Sequence, residues 1–214
     1  MTLLRSPSVL RRLYGLLAPV YDPLVPVISG RAHARGVDAL AVQDGDHVLD
    51  VGCGTGRAAA AVARRTPSGR TVGLDPTPAM RRRARARRAA LPRGHYRVRP
   101  GVATALPFPA DAFDAVFCGY VLDVLPRPHI RPALTEVRRV LRPAGRLVVV
   151  YLAPPRRPVG RLWARLARAC PPLLGGDRPV ALRPLLRRTG FRIEEDSEYT
   201  QWGLRSAVLR AHPA

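Results

Sequence analysis

Asp50 ends the apolar run His-Val-Leu-Asp-Val, and Gly52, Gly54 and Gly56 follow it at alternate positions, with Arg57 next. Glycine tolerates positive φ and lets the backbone approach a ligand without a Cβ clash, so the turn reads as a ligand cradle. A dinucleotide would need G-x-G-x-x-G with its pyrophosphate on a helix N-terminus, but Arg57 holds the place of the third glycine. A phosphate-binding P-loop is excluded as well, because no Gly-Lys-Ser/Thr follows. A carboxylate facing the ligand at Asp50 would repel pyrophosphate but attract an ammonium, directly or through water. Asp75, just before Pro76, lies about twenty residues beyond the glycines, where a carboxylate can accept from both ribose hydroxyls. An ammonium-bearing nucleoside without phosphates is S-adenosylmethionine.

These residues need a strand before the turn, a helix after it and a second strand ending at Asp75. From residue 47 onward the chain alternates short β-rich runs with helical stretches, which predicts a parallel sheet with helices on both faces. Strands are expected at 47–51, 70–74, 95–99, 113–118 and 145–152, and helices at 57–65, 78–90 and 129–141, with Gly145 just beyond the third helix. In the tail, 179–189 reads as a helix, and 191–195 and 204–211 as two closing strands that should pair antiparallel. Segment 153–179 is rich in Pro and Arg and reads as an insertion.

The 214 residues suit one domain, divided here into an N-terminal helical cap at 1–40 and a ligand-binding domain at 41–214 that carries the insertion. Formal charge is +21; all 36 basic residues are arginine, and the chain has neither lysine nor asparagine. A G- and C-rich codon usage accounts for much of that bias. The remaining excess favours anionic substrates, acidic membrane surfaces or nucleic acid. The charge is spread along the chain without a recognition motif, which argues against nucleic acid. Cysteines at 53, 118 and 170 form neither a disulfide framework nor a zinc-ligand spacing, so no metal is expected and a reducing, cytoplasmic setting fits. The most apolar N-terminal stretch, 15–28, is shorter than a membrane span and contains Asp22 and prolines.

The ordered motifs VLDVGCGTG at 48–56, VGLDPTPAM at 72–80, GVATALPFPADAFDAVFCGYVL at 101–122 and HIRPALTEVRRVLRPAGRLVVVYLA at 129–153 carry a family resemblance. With LLRRTGFRIEE at 185–195 and the N-terminal LLAPVYDPLVPVISGRAHARG at 16–36, the chain resembles the class I, Rossmann-like S-adenosylmethionine-dependent methyltransferases. It is most similar to the ubiquinone/menaquinone-biosynthesis C-methyltransferase type and related phospholipid N-methyltransferases. The resemblance implies a three-layer α/β sandwich with a seven-stranded sheet in order 3-2-1-4-5-7-6, strand 7 antiparallel. It implies cofactor contacts from Asp50, Gly52, Cys53, Gly54 and Gly56, from Asp75 and Pro76 at the ribose, and from Met80 at the adenine. Cys118 and Gly119 would pass near the methionine end, which Tyr21 of the cap would cover. One departure is Gly101-Val102-Ala103, where the family often reads Gly-Asp-Ala. The aspartate that accepts from the adenine amino group is missing, and backbone groups of Val102 and Ala103 are left to substitute.

Methyl transfer from a sulfonium asks chiefly for proximity and alignment, with a base only where the acceptor must lose a proton. His33 in the cap, and Asp123 and His129 after the fourth strand, are the candidate bases, each also readable as a surface polar residue. Residues 159–170 show apolar positions at helical spacing with Arg161, Arg165 and Arg168 on another face, fitting an interfacial helix, a lid over a lipophilic acceptor or a helix packed on the domain. The N-terminal run with Leu10, Leu13, Tyr14 and Leu17 carries the same ambiguity. The run at 80–90 places six arginines within eight residues but no aromatics to stack bases, so it reads as a solvated face that could touch anionic lipid. The expected function is methyl transfer to a small lipophilic acceptor, a quinone precursor or phospholipid headgroup. An RNA methyltransferase and a cofactor-binding protein without transfer activity stand as alternatives.

Overall fold

The computed structural model describes residues 12, 15, 16, 30–91, 95–154, 179–201 and 204–214. Seven strands alternate with helices in chain order. Helix α1 covers residues 30–39. Strand β1 (His47–Val51), α2 (Arg57–Arg65), β2 (Arg70–Leu74), α3 (Pro78–Ala89), β3 (Tyr96–Arg99) and β4 (Phe113–Gly119) follow. Then come α4 (Arg127–Val140), β5 (Leu141–Leu152), β6 (Phe191–Gln201) and β7 (Leu204–Pro213), with α5 (Leu182–Arg188) between β5 and β6.

The sheet runs in the order 3-2-1-4-5-7-6. Strands β1 to β5 pair parallel, and β7 inserts antiparallel between β5 and β6, as the resemblance implied. Central strands of a parallel sheet are covered on both faces and therefore read as continuous apolar runs. Val48, Leu49, Val116 and Val149 are fully buried accordingly. One face packs on Ile130, Leu134 and Val137 of α4 and on Leu182 and Leu186 of α5. The other packs on Ala32 and Val37 of α1 and on Ala58 and Val62 of α2. Each large aliphatic side chain so buried contributes about 1.5–3 kcal/mol relative to exposure.

Boundaries differ from the sequence reading at several elements: the last helix is shorter, at Leu182–Arg188, the last strand runs on to Pro213, and the largest differences lie around β5 and β6. The third expected helix begins at Arg127 and ends at Val140, and β5 starts at once. Its pairing with β4 jumps from Phe113↔Leu141 to Ala115↔Arg146, so 142–145 bulge outward. Gly145 lies in that bulge and does not cap the helix; a Cβ there would sit 2.8 Å from the Leu141 side chain, which explains the glycine by packing. Strand β6 continues past Glu195 to Gln201. Its sequence Glu-Glu-Asp-Ser-Glu lacks apolar alternation, and cross-strand charge holds it instead. Arg210 bonds Glu194 at 2.9 Å and Glu195 at 2.8 Å, and Arg183 bonds Asp196 at 2.5 Å. Most of the expected cap, including Tyr21, and all but the first and last few residues of the insertion lie outside the described residues. Among the described residues no helix is long and apolar enough to cross a membrane.

Candidate functional site

A cleft of about 340 Å³ opens beyond the carboxyl ends of β1, β2 and β4, where the winding of the sheet reverses. Gly52 and Gly54 form its floor, with Asp75, Pro76 and Met80 along one side and Gly119, Val121 and His129 toward the other end. Gly52 has φ +68°, and a Cβ there would lie 2.3 Å from Val121 Cγ2, so conformation and space both demand glycine.

Asp75 is the most constrained group in the cleft. Its Oδ2 accepts from the Gly54 N–H at 3.0 Å and its Oδ1 from the Thr77 N–H at 2.7 Å. Burial raises its pKa, while the Thr77 and Gly54 N–H groups pull the other way. Each oxygen keeps a lone-pair direction for a hydroxyl of a bound ligand. Arg81 donates to the Asp75 carbonyl at 2.8 Å, joining α3 to the same turn.

The neighbouring acid behaves differently. Asp50 is buried and does not line the cleft; its Oδ2 accepts from the Ala59 N–H at 3.1 Å, in the first turn of α2. Burial pushes its pKa up to about 8, so it is largely protonated at neutral pH. The carboxyl satisfies one of the orphan donors at a helix start and does not itself reach the cleft wall.

Other expected contacts divide in the same way. Gly54, Val102 and Ala103 line the cleft along with the residues already placed there. Gly56, with φ +78°, lies beneath it as the residue before α2, where a Cβ would meet the Tyr96 hydroxyl at 2.5 Å and Ala84 Cβ at 3.0 Å. Cys53 turns inward, its Sγ 2.8 Å from where a Gly73 Cβ would be, and Cys118 is buried in β4. Burial raises both thiol pKa values, so neither is a nucleophile at neutral pH.

The candidate bases separate too. Asp123 is fully buried, and its Oδ2 accepts from the Leu152 N–H at 2.9 Å. It braces β5 and does not line the cleft, which corrects its reading as an acceptor-side base. His33 borders a second cavity of about 190 Å³ with Ala34, Arg57 and Ala58, on the far side of Gly119. Burial and then Arg57 lower its pKa to about 4, so the imidazole is neutral at physiological pH. Only His129 is exposed and in the cleft, just inside the start of α4.

Sequence reasoning passed over Thr77, Tyr120, Val121, Val124 and Leu125, all of which line the cleft. Thr77 was legible, since Asp-Pro-Thr is a side-chain-to-backbone turn sequence. Tyr120 was not. It holds φ +55°, a strained conformation for a bulky residue, fixed by a 2.8 Å bond from its hydroxyl to Ser206 Oγ and by stacking on His33 at 6.4 Å. The loop forming the Val102 side is held from α4. Arg139 donates to the Phe108 carbonyl at 2.8 Å and the Leu106 carbonyl at 3.1 Å, and Glu136 accepts from the Leu106 N–H at 2.8 Å.

A glycine floor without phosphate-binding residues, a buried carboxylate with free acceptor directions and an apolar side at Met80 fit a nucleoside cofactor of the S-adenosylmethionine kind. Residues 48–145 match the methyltransferase domain family model. The demethylmenaquinone methyltransferase of Thermus thermophilus is 36% identical over 206 residues, covering 85% of this chain and 92% of its own. The demethylmenaquinone methyltransferase of Symbiobacterium thermophilum is 33% identical over 151 residues, covering 68% of this chain; the chain spans 59% of that relative's length. Among solved structures, the YcgJ protein of Bacillus subtilis superposes with a TM-score of 0.70 at 19% identity, covering 86% of this chain and 98% of that one, a likeness of fold. The chain belongs to the class I S-adenosylmethionine-dependent methyltransferases of the ubiquinone/menaquinone C-methyltransferase type.

Proposed function

We propose that this protein transfers a methyl group from S-adenosylmethionine to a small lipophilic acceptor, a quinone precursor being the acceptor class favoured. The observation that carries this reading is the asymmetry of the cleft. Asp75 supplies a hydroxyl-binding carboxylate at one side, whereas Val121, Val124, Leu125 and Pro126 make the opposite end apolar. The named activity of the Thermus relative, which matches nearly the whole chain, supports the same class.

When bound, the cofactor supplies an electrophilic methyl carbon on a sulfonium. Gly52 and Gly54 would let its amino-acid part lie against the backbone, Asp75 would accept from the ribose, and Met80 would pack on the adenine. The apolar end excludes water and holds an acceptor ring in line, which is where most of the rate acceleration arises. His129 would take the proton that the acceptor releases: its hydroxyl ionises to make a ring carbon nucleophilic, and once that carbon has taken up the methyl the ring C–H proton leaves and the hydroxyl is restored.

The test uses isotopically labelled methyl donor with a demethylated naphthoquinol, under reducing conditions, against ribosomal and transfer RNA. Label passing to the organic-extractable quinol supports the proposal; label confined to RNA, or donor binding with no transfer to any acceptor, overturns it. Asp75→Ala should abolish donor binding by calorimetry.

A further inference from the structure

The two edges of the sheet carry opposite charge patterns. Residues 76–110 contain nine arginines and no acidic residue. This stretch forms α3 and β3, the latter an edge strand of the sheet. At the other edge, β6 holds Glu194, Glu195, Asp196 and Glu198, and each is paired with Arg183, Arg205 or Arg210. Charge is neutralised at one edge and left standing at the other.

Apart from the half-buried Arg83, the described arginines of the α3 edge fall into two groups. Arg81 and Arg87 are half-buried and donate to the carbonyls of Asp75 and Thr55, fastening α3 to the turns around the cleft. Arg82, Arg85 and Arg88 are exposed and recur every third residue, so they form one stripe along the helix. Arg97 and Arg99 extend that charge onto β3. None of these five takes part in an ion pair among the described residues. The guanidinium fork matches phosphate oxygens in a bidentate manner, so a stripe of this kind selects phosphate-bearing surfaces.

The position of the stripe distinguishes a membrane from a nucleic acid. Arg99 lies over Phe108 at 6.0 Å and precedes Gly101 and Val102, which line the cleft. Val102 is 43% exposed, an apolar side chain at the rim between arginines and cleft. Tyr96 is buried and Phe108 is half-buried against Arg99, so no exposed base-stacking platform accompanies the charge.

We propose that the α3–β3 edge is a docking face for anionic phospholipid bilayers, bringing the rim of the cleft beside the lipid surface. The proposal goes beyond the identity of the acceptor and stands whether or not a quinol is methylated. Electrostatic contact of this type is peripheral, reversible and weakened by salt.

Co-sedimentation with phosphatidylcholine vesicles, with and without phosphatidylglycerol, tests it. The wild type should bind only the vesicles containing phosphatidylglycerol and should dissociate as salt rises. The combined variant Arg82→Gln, Arg85→Gln and Arg88→Gln should lose on the order of a hundredfold in partitioning, at about fivefold per basic residue near an anionic surface. The control variant Arg187→Gln, Arg188→Gln and Arg192→Gln removes the same charge from exposed positions elsewhere. Equal loss in both variants would assign binding to net charge alone and overturn the proposal. So would binding of transfer RNA that depends on the α3 stripe while vesicles fail to bind. Calorimetry with S-adenosylmethionine should give the same affinity for both variants and the wild type, which separates loss of lipid contact from loss of fold or of the cofactor reading.

Discussion

Val102→Asp is expected to tighten binding of S-adenosylmethionine. Val102 lines the cleft where relatives by resemblance carry a carboxylate for the adenine amino group. The Val102 carbonyl already accepts from the Ala105 N–H at 3.2 Å, and a neutral backbone oxygen makes a weaker bond than a carboxylate would. A hydrogen bond to a charged group contributes about 1.5–3 kcal/mol. With Val102 43% exposed, solvent competition moves the gain to the lower end, about 1–1.5 kcal/mol, or roughly five- to tenfold in Kd. Removing a half-exposed valine costs little packing, so the fold should tolerate the change. Calorimetry of wild type and variant would measure the gain with S-adenosylmethionine, with its demethylated product and with an inosine analogue bearing oxygen in place of the amino group. The tightening should appear for the two adenosine ligands and vanish for the inosine one. An equal gain for all three would show a general electrostatic effect, and no gain for any would remove Val102 from the adenine side; either result refutes the reasoning.

Three further outcomes follow from the packing. Gly52→Ala places a Cβ 2.3 Å from Val121 in a backbone at φ +68°; it should abolish cofactor binding by calorimetry, and adding Val121→Ala should restore it only in part because the backbone strain persists. Arg139→Ala strips two loop carbonyls of their donor and should lower stability by about 1–3 kcal/mol in urea unfolding while weakening cofactor binding through a looser Val102 side. Asp50, with its pKa raised from 3.8 to about 8, stabilises the fold fully below pH about 4 and loses that contribution as pH rises toward 8, because the unfolded carboxyl releases its proton first. Asp50→Asn should therefore gain stability relative to wild type between urea midpoints taken at pH 5 and pH 8.5; a constant difference would contradict a protonated Asp50.

The glycine turn and Asp75 were readable because backbone requirement and residue type coincide there: only glycine suits φ +68° beneath Val121, and an acid at the end of β2 has few structural uses. Strand alternation was the limit for Asp50. Period-two patterning names the positions that alternate but not which one meets a ligand and which meets a helix start. Asp123 failed for a related reason, since its partner is a backbone N–H of Leu152, a contact with no sequence signature. The apolar end of the cleft depends on Tyr120 in a left-handed conformation that only tertiary contacts enforce, so the turn that displays Val121 and Val124 was invisible. The long edge strand β6 was shortened on paper because charge pairing, not apolar period, holds it.

The two backbone N–H groups on Asp75 bear on the rate at which the cleft fills. Gly54 follows β1 and Thr77 follows β2, and the one Asp75 carboxylate ties the two turns together. In the proposed reading the cofactor's ribose meets a carboxylate already held in place, so association should be governed by diffusion and any slow step by release. The same tie couples local order to the proposed ribose contact: loosening at residue 54 would release the Asp75 carboxylate in the same motion.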